Sequence, residues 1–203
     1  MDLLLVRCAD LLSEDNVAVL SDREGAKTTR DAMNVALSPR GERHTRRLAT
    51  WLNTHAPRGL QVFSGPAKGG RQMAEMIAEE MGTTALSPVV SRLLAPTSHA
   101  SDILGAIGWP DDHKAALVVA HQPAVGALAS LLLTGHEAPL AFKRGAIWWF
   151  SNRHRDGEMQ TVLRCALTPD LLKGQMRPQT PHLNLDLPKV VDLMRTRMSA
   201  AIL

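Results

Sequence analysis

The chain has 203 residues, 45% of them hydrophobic and 21% charged, and its 23 Lys and Arg against 20 Asp and Glu give a formal net charge of +3. These values are ordinary for a globular domain, and they exclude a disordered chain, a collagen-like repeat and a disulfide scaffold. The length predicts one domain with a short appendage. The small basic excess suits an anionic ligand, but it does not by itself indicate nucleic acid, and we expect none.

The predicted elements alternate between strands and helices. A short apolar run at 3–6 is typical of a strand buried in a parallel sheet, whereas residues 11–36 predict a long polar loop. Ser38 and Pro39 predict a helix start, as N-cap and first helical residue. In chain order we predict strand 3–6, helix 38–53, strand 61–64, a helix with Met73, Ile77 and Met81 buried, strand 86–90, helix 101–107, strand 115–120, helix 124–133 and a hairpin of 146–151 with 159–166. This alternation predicts an α/β fold with a largely parallel sheet and the hairpin at one edge.

The last thirty residues have a different character. Three prolines between residues 173 and 188 indicate a linker, and a spaced apolar set after it predicts a short amphipathic helix (Leu187, Val190, Val191, Met194 and Met198). We therefore divide the chain into a domain at 1–172 and an appendage at 173–203. The helix docks on its own domain or contacts a second chain, and the sequence leaves both open.

The cysteine content and the apolar segments of the sequence bear on its cofactors and its cellular location. Cys8 and Cys165 cannot build a disulfide framework, and no Cys/His cluster has metal-ligand spacing, so we expect no metal and no cofactor. No secretory signal is visible, and His121, Gln122 and Pro123 divide the most apolar window into a strand and a helix. We expect a cytoplasmic protein that does not contact the membrane.

Three predicted strands end in residues suited to an anion. Arg7 and Cys8 follow the first strand, a Gly-rich segment with Lys68 follows the second, and His121 follows the strand 115–120. Ligands of open α/β sheets bind at the carboxyl ends of the strands. A guanidinium, an ammonium and an imidazole would converge there with helix-end amides, and such groups form a phosphate pocket.

At this point the sequence resembles the histidine phosphatase superfamily, in particular the small phosphohistidine phosphatases of the SixA type, over about residues 3–172. Leu-Leu-Leu-Val-Arg at 3–7 resembles the strand and first residue of the family's Arg-His-Gly motif. Leu-Ser-Pro-Arg-Gly at 37–41 resembles its Leu-Thr-x-x-Gly helix start. Val-Phe-Ser-Gly-Pro at 62–66 resembles the segment before its second arginine, and residues 117–123 resemble its Val-x-x-His-x-Pro. The resemblance implies a three-layer α/β/α, phosphoglycerate mutase-like fold.

The sequence departs from the family pattern at the positions that carry out the family's catalysis. The resemblance puts Cys8 where the family has its nucleophilic histidine, and Ala9 where it has the glycine. The second arginine falls on Lys68 without a gap, or on Gly69 with one inserted residue. The implied catalytic positions are thus Cys8 and His121, and the implied phosphate ligands are Arg7, Lys68 and His121.

Each of these residues also has a plain structural interpretation. Cys8 is either a thiolate nucleophile or a small buried side chain; we favour the second, because neither cysteine is followed six residues later by the arginine that cysteine phosphatases use. Arg7 either binds phosphate or forms a salt bridge to Asp10 or the loop carboxylates. His121 either has a functional role at the site or caps the following helix by hydrogen bonding. Asp10, Glu14 and Asp15 are either candidate general acids or solvated loop carboxylates, and we favour solvation.

Two other protein classes are weaker fits. The segment 65–72 nearly matches a nucleotide-binding P-loop, but Arg71 and Gln72 stand where Lys and Ser or Thr are required. A basic helix face is more typical of a solvated surface than of nucleic-acid binding (Arg40, Arg43, His44, Arg46 and Arg47). We therefore expect a catalytically degenerate protein that binds phosphate or a phosphorylated small molecule or protein. The alternative is an active phosphohistidine or phosphomonoester phosphatase.

Overall fold

The computed structural model describes residues 1–12, 33–82, 86–110 and 114–174. In this part of the chain the strands are β1 (Asp2–Arg7), β2 (Gln61–Ser64), β3 (Val89–Val90), β4 (Ala116–Ala120), β5 (Ile147–Arg155) and β6 (Glu158–Leu167). The α-helices are α1 (Pro39–His55), α2 (Lys68–Met81), α3 (Ala100–Ile107) and α4 (Ala124–Thr134), and short 3-10 turns form at Arg92–Leu94 and Leu171–Gly174.

All six strands belong to one mixed sheet in the order β3-β2-β4-β1-β5-β6. The first four are parallel, while β5 runs antiparallel to both β1 and β6. Arg7 pairs with Ala120, and Ser64 pairs with Val119, so β1, β4 and β2 end nearly level. The predicted α/β fold with a hairpin at one edge of the sheet is confirmed. The residues that follow these three strands lie together at the carboxyl end of the parallel strands.

Helices cover both faces of the sheet, which gives the three layers expected. Leu4 and Val6 of β1 are fully buried in the core shared with α1 and α2. Leu3 and Leu5 are fully buried in the core shared with α3 and α4. A strand buried on both faces needs this unbroken apolar run rather than an alternating pattern.

The start of α1 follows from its capping residues and from one glycine. Ser38 accepts a hydrogen bond from the amide of Gly41 at 3.0 Å, as its predicted N-cap role requires. The amide of Ser38 donates to the carbonyl of Asp10 at 2.9 Å. A Cβ on Gly41 would lie 2.2 Å from that carbonyl oxygen, so only glycine lets α1 dock here on the end of β1.

Two predicted boundaries were wrong. The strand expected over 86–90 is limited to Val89–Val90, a half-exposed pair at the edge of the sheet just after Pro88. The polar turn expected over 152–158 is a two-residue turn at Asp156 and Gly157, with φ values of 54° and 85°. An Asp-Gly pair with positive φ forms the tight turn that hairpins favour, so both strands extend further than their polar residues indicate.

Part of the sequence interpretation lies outside the described residues. This applies to residues 13–32 of the long loop and to the linker and amphipathic helix from residue 175 onward. The division into a domain at 1–172 and an appendage remains a prediction. No helix in the described ranges is long and apolar enough to cross a membrane.

Replacing Gly41 by alanine should destabilise the fold by about 1–3 kcal/mol, because the new methyl group overlaps the Asp10 carbonyl. Gly105→Ala is the matched control, since a Cβ there meets no atom within 4 Å and alanine gains about 1 kcal/mol over glycine inside a helix. Urea unfolding of both variants measures the difference. Equal stability of the two variants would contradict the docking of α1 on Asp10.

Candidate functional site

The structure brings Arg7, Cys8 and His121 together at the carboxyl edge of the sheet. The amide of Cys8 donates to the carbonyl of Ala120 at 2.9 Å, which fixes the end of β1 beside the residue before His121. Arg7 acts electrostatically on both the Cys8 thiol and the His121 imidazole. A guanidinium, a thiol and an imidazole therefore face one region, as their positions after neighbouring strands predict.

Cys8 is a buried thiol in this arrangement. Its residue is 3% exposed and belongs to the core under α1 and α2. Burial raises its pKa to about 12, and this outweighs the opposing influence of Arg7, the Ala9 amide and Arg144. Gly69 at the start of α2 lies over it, because a Cβ on that glycine would stand 3.7 Å from the Cys8 sulfur. The thiol is thus protonated at neutral pH.

His121 is held as a neutral imidazole. Burial lowers its pKa below the ordinary 6.5, and the nearby Arg7 lowers that pKa further. A Cβ on Gly70 would lie 3.2 Å from the ring carbon Cε1 of His121, so the second glycine of α2 leaves room for this ring. A neutral imidazole offers one N–H donor and one acceptor nitrogen to a ligand.

Arg7 is fixed by the segment between α4 and β5. Its Nη1 atom donates to the carbonyl of Phe142, and its backbone amide donates to Ala146 at 3.1 Å. Partial burial and the proximity of Arg144 lower the pKa of Arg7, although a guanidinium stays charged at any ordinary pH. The salt bridge to Asp10 considered for Arg7 is absent from the contacts of the described residues, where its side chain bonds a carbonyl instead.

Asp10 forms ion pairs with two arginines and lies beside His44. Arg144 Nη1 lies 3.4 Å from its Oδ1, while Arg40 Nε and His44 Nδ1 each lie 3.5 Å from its Oδ2. Asp10 is therefore an ion-paired residue and not the solvated loop carboxylate expected. Glu14 and Asp15 lie outside the described residues.

The basic helix face is only partly solvated. His44 is buried against Asp10, and burial lowers its pKa despite that carboxylate. Arg46 does face solvent and pairs with Glu42 one turn earlier at 3.3 Å. The expectation of a fully solvated face was wrong at His44, because this position points towards the sheet edge.

Lys68 begins α2 and is exposed. The two glycines after it face Cys8 and His121, so Lys68 stands at the rim of the same region. Its role as a phosphate ligand remains a prediction. Helix α2 already begins between Gly65 and Gly70, and Gln72 accepts from the amide of Leu37 at 2.9 Å, so no phosphate-wrapping P-loop forms here.

Sequence reasoning missed Arg144. It precedes β5, and no predicted strand end or motif marks it. Its proximity to Arg7 depends on β5 lying antiparallel beside β1, which no local pattern in residues 142–146 reveals.

A second basic region lies at the opposite end of the parallel strands, beside the first residues of β1. An open cavity of about 740 Å³ there is lined by the first residues of β1 and by four basic side chains (Arg58, Lys114, Arg153 and Arg164). Asp2 in this cavity accepts hydrogen bonds from Trp149 and Arg164 at 2.9 and 3.2 Å. The cavity lies a full strand length from Arg7 and does not belong to the candidate site.

Comparisons with known proteins give no match in sequence and a clear one in structure. No protein-family model matches the chain, and no curated protein matches it. The structure of the protein histidine phosphatase SixA complexed with tungstate is similar at a TM-score of 0.65 and 21% identity, over 85% of this chain and 100% of that one.

Two further structures agree with this fold. The putative phosphohistidine phosphatase SixA from Agrobacterium tumefaciens has a TM-score of 0.60 and 15% identity, over 83% of this chain and 97% of that one. A mycobacterial glucosyl-3-phosphoglycerate phosphatase in complex with VO3 has a TM-score of 0.54 and 15% identity, over 81% and 97%. The predicted resemblance is therefore confirmed at the level of the fold: the protein has an α/β, phosphoglycerate mutase-like fold similar to that of the SixA structures.

Proposed function

We propose that this protein binds phosphate or a phosphoryl group at the edge formed by Arg7, Cys8, Lys68 and His121, and that its phosphatase activity is weak or absent. One observation carries the proposal. Arg7 and His121, which can bind an anion, lie beside Cys8, a buried and protonated thiol at the position where the family resemblance puts the nucleophile. The ligand is free phosphate, a phosphorylated small molecule or a phosphorylated protein.

Anion binding is supported by the groups that meet at the site. Arg7 supplies a guanidinium that can hold two oxygens of a phosphate, and neutral His121 supplies an N–H donor. The start of α2 adds backbone amides, which favour an anion at a helix N-terminus. Tungstate and VO3, bound in two proteins of similar fold, are oxyanions chemically akin to phosphate.

Weak activity is supported by the state of Cys8. With its pKa raised to about 12 by burial, the thiol stays protonated at pH 7, whereas the thiolate is the nucleophilic form. Lys68 is a second weakness, because an ammonium cannot form the two-pronged contact of an arginine with a phosphoryl group in the transition state. The two changes should act together against turnover.

The alternative is an active phosphatase that uses Cys8. Arg7 and Arg144 do favour the thiolate, but burial has the larger effect on the pKa and acts in the opposite direction. A binding or regulatory role therefore fits this site better than covalent catalysis. Self-association or partner binding through the C-terminal helix, and a cytoplasmic location, stay predictions from the sequence.

Arg7→Ala should weaken phosphate binding by about ten- to a hundredfold, since charge-assisted hydrogen bonds contribute roughly 1.5–3 kcal/mol. Titration calorimetry with inorganic phosphate measures the affinity. The matched control is Arg153→Ala, which removes an exposed arginine from the opposite basic cavity and should leave the affinity unchanged.

Arg7 also bonds the Phe142 carbonyl, so the melting temperature of each variant must be compared with wild type. Arg7→Lys retains the positive charge and should lose only part of the affinity. If Arg153→Ala weakens phosphate binding and Arg7→Ala does not, the ligand occupies the other end of the sheet and the proposed site is wrong.

Cys8→His should raise the very low rate of the wild type on phosphohistidine and aryl phosphate substrates by tenfold or more. Covalent catalysis divides a hard displacement into two easier steps, and an imidazole does not need the deprotonation that the buried thiol requires. Initial rates of phosphate release measure the effect. Adding Lys68→Arg should raise the rate further, because it supplies the bidentate group.

Cys8→Ser is the control for the alternative function. Strong wild-type turnover, abolished in Cys8→Ser and accompanied by a trapped phosphocysteine, would show an active thiolate enzyme. No turnover in a folded Cys8→His/Lys68→Arg variant would contradict this prediction and mean that another feature of the site blocks the chemistry.

A further inference from the structure

We propose that Arg144 is the second guanidinium of this site, and that together with Arg7 it selects a doubly charged tetrahedral oxyanion such as the phosphoryl group of a phosphate monoester. This inference rests on the proposed function, because it assumes that the anion binds beside Arg7. It gives Arg144 a share of the anion-binding role that the family resemblance implied for Lys68 alone.

Arg144 is held beside Arg7 by the backbone. The segment 142–146 makes three hydrogen bonds to Arg7: its Nη1 donates to Phe142, its amide donates to Ala146, and its carbonyl accepts from the amide of Gly145. The last two bonds are each 3.1 Å long. Arg144 lies between the bonded residues, so its position relative to Arg7 does not depend on side-chain packing alone.

Gly145 allows this segment to reach the site. Its φ of 69° is in the left-handed region, and a Cβ there would stand 3.0 Å from Pro169 Cγ and 3.8 Å from the Cβ of Ala9. The segment therefore lies directly against the residue that follows Cys8. Arg144 is carried to the same edge of the sheet as Arg7 and His121.

The charges of this region favour a dianion. Arg7 and Arg144 are two positive groups close enough for Arg144 to lower the pKa of Arg7, and the Asp10 carboxylate lies 3.4 Å from Arg144. Asp10 also pairs through its other oxygen with Arg40, so its single negative charge is shared. A ligand with two negative charges is attracted to two guanidiniums more strongly than a ligand with one.

The Arg144 side chain is accessible from solvent. The Arg144 side chain is 40% exposed, so an incoming anion can reach its guanidinium while the backbone of the segment stays fixed. Arg144 also acts electrostatically on the Cys8 thiol, as Arg7 does.

Sulfate and perchlorate test the inference, because both are tetrahedral oxyanions and they carry two charges and one. Titration calorimetry on the full chain should show that Arg144→Ala weakens sulfate binding about ten- to a hundredfold and perchlorate binding much less. Arg144→Lys should fall between wild type and Arg144→Ala, since it keeps the charge and loses the planar fork. The ratio of the two affinities reports charge selection, which a merely structural role would not change.

Arg40→Ala is the matched control, because Arg40 pairs with the same carboxylate through the opposite oxygen and is 66% exposed. It should leave both affinities within about twofold of wild type. If it weakens sulfate binding as much as Arg144→Ala, the effect passes through Asp10 and the inference is wrong. It is also wrong if Arg7→Ala loses sulfate and folded Arg144→Ala and Arg144→Lys do not, whereas loss in none of these variants refutes the proposed function itself.

Discussion

The site depends on the close approach of four chain segments to the backbone of residues 7–10. The adjacent strand β4 bonds the amide of Cys8, the segment before β5 bonds Arg7, and the start of α1 bonds the Asp10 carbonyl. Helix α2 packs over the Cys8 sulfur through Gly69. Backbone groups that approach so closely need glycine at the contact and a hydrogen-bond partner for each polar atom. These contacts place the basic side chains at one edge before any ligand arrives.

The same packing accounts for the protonation states of Cys8 and His121. A thiol enclosed by α2 and the sheet loses the solvation that a thiolate needs, which is why two nearby guanidiniums do not bring its pKa down. His121 is affected in the opposite direction and becomes a neutral donor. Because binding needs positive charge and hydrogen bonds while covalent catalysis needs an ionised nucleophile, one environment supports the first and opposes the second.

Sequence alone predicts the elements well where periodicity and capping are strong. The buried run of β1, the Ser38 cap and the alternation of strands and helices all follow from local physics, and so does the convergence of Arg7, Cys8 and His121. Arg144 could not be found this way, because its place depends on the antiparallel pairing of β5 with β1. The hairpin boundaries failed because polar residues on an exposed edge strand resemble a turn.

Crystallisation of the protein with tungstate tests most directly the claim that the oxyanion site persists without a working nucleophile. The account predicts tungstate bound between the Arg7 guanidinium and His121, within hydrogen-bond distance of Arg144, and with no bond to the Cys8 sulfur. Tungstate bonded to that sulfur, or found only in the basic cavity lined by Arg58 and Arg153, would contradict it.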